Sequence, residues 1–171
     1  LKNLKNPILY GYKIDGRGPF PDPASRFQPD GVHGRSQLWQ ESFAWHDQKW
    51  QAPPLKDAII YELHTGTFSP QGTFTGIIDK LDHLLQLGVT HLELLPVAAF
   101  PGRRGWGYDG VALYAPHAAY GNPSDLKQLV DTCHQRGLAV ILDVVYNHLG
   151  PDGNYLGLYD HYFSQRYHTP W

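Results

Sequence analysis

Asp143, Asn147 and His148 close the stretch Leu138-Ala-Val-Ile-Leu-Asp143-Val-Val-Tyr-Asn147-His148, where an apolar run meets a carboxylate, an amide and an imidazole. An aliphatic run of that length, opened by Gly137 after a helical pattern, reads as a strand buried on both faces. Parallel α/β sheets and barrels place their chemistry at the C-terminal ends of such strands. A charge left unpaired there would cost several kcal/mol, on the order of the penalty for an isolated buried ion. Asp143 therefore requires a cationic or hydrogen-bonding partner.

The loop Phe100-Pro-Gly-Arg-Arg-Gly-Trp106-Gly-Tyr108-Asp109-Gly110 adds the rings of Trp106 and Tyr108, a carboxylate, two guanidinium groups and four glycines. A sugar site needs that mixture: a platform to stack on, groups that orient hydroxyls, and backbone that lets a ligand come close. The same residues also suit a surface loop with Trp106 and Tyr108 tucked into a neighbour. Gly105, Gly107 and Gly110 satisfy G-x-G-x-x-G formally. No helix begins there, however, and the two rings would crowd a pyrophosphate.

Asp109 and Asp143 fit two roles. Either they are the paired carboxyls, roughly 5 Å apart, of a retaining glycoside hydrolysis, or Asp143 is structural and anchored to an arginine. Asn147 and His148 make a poor metal pair, because adjacent side chains rarely point together and an oxygen-rich site needs more carboxylates. His64 ends another predicted strand on the same rim and joins the candidates. His83 and His134 fall outside the apolar helix stripes and are expected in solvent, while His161 and His168 lie in an aromatic tail that assigns them no role. Cys133 sits on an apolar stripe and is expected to be core rather than nucleophile.

These groups need a frame, and the apolar spacing supplies one. Ile8 to Ile14 reads as a strand closed by the turn Asp15-Gly16, and Gly18 to Gln37 as irregular chain. After Ala52-Pro53-Pro54 the pattern becomes regular. Residues 1–54 are expected to be the tail of a β-rich domain with its linker, and residues 55–171 the start of a second domain. Buried strands are predicted at Ala58–Leu63, Thr90–Leu95 and Leu138–Leu142. One helix is carried by Ile77, Ile78, Leu81, Leu84 and Leu85, capped by Thr73 or Thr75 and stopped by Gly88. Another is carried by Leu126, Leu129, Val130 and Cys133, with Asn122-Pro123 at its start and Gly137 at its end. A long loop fills Pro96 to Asn122. Alternating strands and helices imply a parallel sheet with right-handed crossovers. Three strands cannot close a barrel, so the sheet is open or continues elsewhere.

The 171 residues carry a formal net charge of −2, which gives no basic field for nucleic acid. No run approaches the ~18 apolar residues of a membrane span. A single cysteine suits a reducing compartment, so a cytoplasmic location is expected. Five Trp, eleven Tyr, seven Phe and ten His favour flat, hydroxyl-rich ligands, unless the rings simply fill cores. The chain lacks methionine and begins and ends in mid-pattern, so it is expected to be a piece of a longer protein.

Asp143-Val-Val-Tyr-Asn147-His148 resembles the first short sequence region of the α-amylase family of glycoside hydrolases. Glu93-Leu-Leu-Pro-Val97 and Trp106-Gly-Tyr-Asp-Gly-Val-Ala-Leu-Tyr-Ala-Pro116 are similar to that family's second strand and following loop. Three further segments, Pro21 to Gly34, Asn147 to Tyr155 and Tyr167 to Trp171, are most similar to its trehalose-releasing branch. The resemblance implies the first three βα units of a (β/α)8 TIM barrel, preceded by the tail of a β-sandwich domain. It implies retaining hydrolysis of the α-1,4 bond next to the terminal trehalose of a malto-oligosaccharide, with no cofactor or metal. By motif, Tyr108 would stack on the sugar and His148 hydrogen-bond it, with Trp106, Asp109 and His64 also at the substrate. Asp143 would anchor an arginine on the fourth strand, with Asn147 beside it. The nucleophile and acid/base would then lie beyond Trp171, leaving no catalytic carboxylate here. A branching or debranching enzyme of the same family, or a non-catalytic carbohydrate-binding module, are the competing expectations.

Overall fold

The structure, a computed structural model, describes residues 7–40, 42–164 and 166. In chain order the strands are β1 Leu9–Tyr10, β2 Tyr12–Ile14, β3 Arg17–Phe20, β4 Ser36–Gln37, β5 Ile60–Leu63, β6 His91–Leu94, β7 Ala98–Ala99, β8 Ala112–Pro116 and β9 Ala139–Leu142. The α-helices are α1 Thr65–Phe68, α2 Phe74–Ile78, α3 Leu81–Gln86, α4 Pro123–Gln135 and α5 Leu156–Tyr159. The described residues fall in two compact units, one within the spans 1–40, 98–118 and 145–171, the other within 41–97 and 119–144.

The second unit holds the parallel sheet, in the order β5-β6-β9. Leu63 pairs with Leu94 and Leu94 with Leu142, so all three strands end in one row. Leu92, Leu94, Phe74, Ile77, Leu81, Leu84, Leu129 and Leu138 form its buried core. Burying side chains of this size stabilises by roughly 1.5–3 kcal/mol each.

The helix ends follow local chemistry. Asn122 Oδ1 accepts from the Ser124 and Asp125 N–H groups at 2.8 and 3.1 Å, and Asp125 accepts in return from the Asn122 N–H at 2.8 Å. This reciprocal cap, with Pro123 behind it, starts α4 as the sequence implied. Gly137, at φ 78°, supplies the left-handed residue that ends the helix. Thr73 caps α2 through the Gly76 N–H at 3.1 Å.

Four expectations need correction. The outer strands are not buried on both faces: Ile59, Ile60 and Leu142 are 54%, 48% and 46% exposed. Among the described residues β5 and β9 are the sheet's edges, so only β6 is covered on both sides. The single helix expected between Thr73 and Gly88 is two, α2 and α3. It breaks where the Lys80 N–H bonds the Ile77 carbonyl at 2.9 Å, a tighter i−3 turn. The long loop after Pro96 contains the antiparallel pair β7–β8, whose Ala99 and Ala112 pack with Val32 and Ala115 as the core of the first unit. His134 is not solvated, because its ring stacks on Trp50 at 3.7 Å and its Nδ1 lies 2.7 Å from Asp47 Oδ2. His168 and the Tyr167–Trp171 segment lie outside the described residues.

Two His–Asp pairs strap the segment before β5 to α4. His134 meets Asp47, and Asp131 accepts from the His46 N–H at 2.7 Å and faces the His46 ring at 3.0 Å. Burial raises the Asp131 carboxyl, but His46 and Gln135 outweigh it and hold the group below its ordinary value. Such a group adds stability above its unfolded pKa of about 3.9, lost as pH falls through the lower folded value. Asp131→Ala is expected to lower stability by about 1.5–3 kcal/mol near neutral pH, the worth of hydrogen bonds to a charged group. It should also flatten the fall in stability below pH ~4, measured by urea unfolding across pH.

Candidate functional site

Parallel register sets one rim. The row Leu63, Leu94 and Leu142 is followed by His64, Leu95 and Asp143, whose backbones continue the ladder: the Leu95 N–H donates to Leu63 and the Asp143 N–H to Leu94, both at 3.0 Å. His64 and Asp143 thus share the C-terminal edge of the sheet, as their positions after buried runs implied. Asp143 is half-buried there.

The His64 ring is held on both nitrogens. Its Nε2 lies 3.1 Å from the Tyr120 hydroxyl and its Nδ1 3.2 Å from Thr67 Oγ1. The Tyr120 ring meets it edge-on, 5.8 Å between centroids. Burial pushes the Tyr120 phenol up to about 12, so it stays protonated at neutral pH. Gly66 makes the approach possible, since a Cβ there would lie 3.0 Å from both rings. Sequence reading missed Tyr120; its only signal was an aromatic ring just before the Asn122 cap.

In the other unit, the loop after β6 and the segment after β9 are tied together. His148 Nε2 lies 3.1 Å from the Tyr108 carbonyl, and the Gly150 N–H donates to the Gly110 carbonyl at 3.2 Å. A carbonyl only accepts, so Nε2 carries the proton. Tyr108 and His148, chosen separately by residue type, are therefore neighbours. The Tyr108 side chain is 38% exposed and Trp106 78%, so neither ring is tucked into a core. Asp109 and Asn147 are exposed in the same unit. Among the described residues no group of three or more His, Cys, Asp or Glu could hold a metal.

His117 supports the loop from beneath. Its ring lies 3.8 Å from that of Phe100, and its Nε2 donates to the Gly102 carbonyl at 3.1 Å. Burial holds it below the ordinary histidine value, so it remains neutral. Cys133 is fully buried as expected, and burial pushes its thiol up to about 12, which leaves it unreactive.

The profile described as the alpha amylase catalytic domain matches residues 35–165. The chain belongs to the alpha-amylase family. Within that family it is 52% identical to a malto-oligosyltrehalose trehalohydrolase of Saccharolobus solfataricus, over all 171 residues and 30% of that relative. It is 37% identical to a 1,4-alpha-glucan branching enzyme of Pseudoalteromonas atlantica, over 76% of the chain and 20% of that protein. Among solved structures, a Salmonella typhimurium protein provisionally assigned as an alpha amylase superposes with a TM-score of 0.85, at 51% identity over 89% of this chain and 26% of that one. The chain thus spans about 30% of the length of the first relative.

The tie between the two loops depends on glycine at 150, where a Cβ would overlap the Asp109 carbonyl. Gly150→Ala is expected to destabilise by about 1–3 kcal/mol, the range for forced overpacking. Gly157 has open space around its Cβ position, so Gly157→Ala should leave the thermal midpoint unchanged or slightly raised. Thermal unfolding of both variants checks the contrast.

Proposed function

We propose that this chain is part of a retaining glycosidase that hydrolyses the α-1,4 bond next to the terminal trehalose of malto-oligosyl trehalose. The observation that carries the reading is 52% identity over the whole chain to a malto-oligosyltrehalose trehalohydrolase. The branching enzyme is similar at 37% over a shorter span, which favours it less. In this reading β5, β6 and β9 are the first three strands of a (β/α)8 barrel. Residues 1–54 are the end of a preceding β-rich domain with its linker. The lone buried cysteine fits a cytoplasmic enzyme.

The chemistry follows from the residues present. Tyr108 offers an exposed ring to the C–H face of a pyranose, and His148, oriented by the Tyr108 carbonyl, hydrogen-bonds the same sugar. Trp106 and Asp109, in the same unit, also contact the substrate. His64, on the sheet edge, is likewise read as a substrate contact, Asp143 as the anchor of an arginine and Asn147 as a structural residue. The nucleophile and the general acid/base are supplied by residues outside this chain, so these residues bind and orient the sugar.

The test uses the longer protein that contains this chain and a trehalose-capped maltotriose. Trehalose should be released, and Tyr108→Ala should lower kcat/KM by about 10- to 100-fold, or ~1.4–2.7 kcal/mol of transition-state stabilisation. Formation of α-1,6 branches instead would establish the branching-enzyme reading. An unchanged rate in Tyr108→Ala would overturn the stacking role.

A further inference from the structure

One cavity of about 220 Å³ lies in the first unit, lined by Phe100, Pro101, Arg104, Gly105, Gly107, Asp109, Pro151 and Asp152. Positions 105, 107 and 109 line it, and 106 and 108 do not. The glycines shape the space: a Cβ at Gly105 would come 2.9 Å from the Phe100 ring.

Three charged groups border the cavity. The Arg104 guanidinium and Asp109 carboxylate have no hydrogen-bond or ion-pair partner among the described residues. Asp152 is held from behind, since His33 Nε2 lies 3.0 Å from its Oδ1 while His33 Nδ1 lies 2.7 Å from the Tyr155 hydroxyl. A carboxylate only accepts, so Nε2 donates and both ring nitrogens are engaged. His33 therefore fixes the turn that carries Asp152. It comes from the Pro21–Gly34 segment, whose Val32 also packs against Gly153.

The chemistry selects a ligand class. Two carboxylates against one guanidinium repel anions such as phosphate. Fewer than three metal-ligating side chains gather there among the described residues. A guanidinium donor beside carboxylate acceptors, one of them held by His33, with proline and phenylalanine also lining the space, suits vicinal hydroxyls on a ring with apolar C–H edges. The volume is below the ~300–1,000 Å³ of pockets for drug-sized ligands, so it admits one ring-sized unit.

We propose that this cavity is a saccharide-binding pocket for a single pyranose unit, with Arg104 and Asp152 bonding its hydroxyls and His33 positioning Asp152. The proposal rests on the saccharide reading above. Calorimetry with maltotriose on the longer protein tests it, comparing Arg104→Gln, Asp152→Asn and Tyr108→Ala with the parent. Arg104→Gln and Asp152→Asn should each weaken binding about 10-fold, the size of one lost charge-assisted hydrogen bond. His33→Ala should weaken it about 3-fold, and His33→Gln, which keeps a donor for Asp152, should restore most of that. Loss in Tyr108→Ala with no change in Arg104→Gln and Asp152→Asn would overturn the pocket and leave the proposed function standing. No change in any of the three would overturn both. Equal losses in His33→Ala and His33→Gln would remove His33 as a positioning residue.

Discussion

The hydrogen bond from His148 to the Tyr108 carbonyl, with the Gly150–Gly110 bond beside it, turns two separate loops into one surface. Neither loop carries regular structure at that point, and this bond sets the Tyr108 backbone beside the imidazole. The bond also settles which imidazole nitrogen carries the proton. The glycine at 150 allows the backbones to come within bonding distance, because a side chain there would overlap the Asp109 carbonyl. The saccharide chemistry assigned to this region depends on that closure.

The parallel ladder does comparable work in the other unit. Because β5, β6 and β9 end in register, the residues that follow them emerge at one edge whatever their type. His64 and Asp143 gain their shared position from this alignment. Tyr120 and Thr67 then hold the His64 ring, so its orientation owes more to neighbours than to the strand.

Local signals were legible in the sequence and distant ones were not. The Asn122 cap, the Gly137 terminus and the Thr73 cap depend on residues within a few positions, and each was readable. The left-handed pair Asp15 and Gly16, at φ 49° and 77°, likewise closes the β2–β3 hairpin where a turn was expected. The outer strands misled because an aliphatic run records what a strand needs to cover it, and the cover for β5 and β9 is absent from the described residues. β7 escaped notice because two alanines show no alternation, and Pro116 obscures its partner. His134 looked solvated because its partner, Asp47, is 87 residues away. Tyr108 and His148 were each named as candidates, in separate segments. Their contact runs through a main-chain carbonyl 40 residues distant, which no side-chain pattern encodes.

A crystal structure of the longer protein with a bound malto-oligosaccharide addresses the shared Tyr108–His148 surface most directly. A pyranose ring lying on the Tyr108 face, with one hydroxyl within hydrogen-bond distance of His148, is the predicted result. A well-ordered saccharide bound elsewhere in the protein, with Tyr108 and His148 both bare, would contradict it.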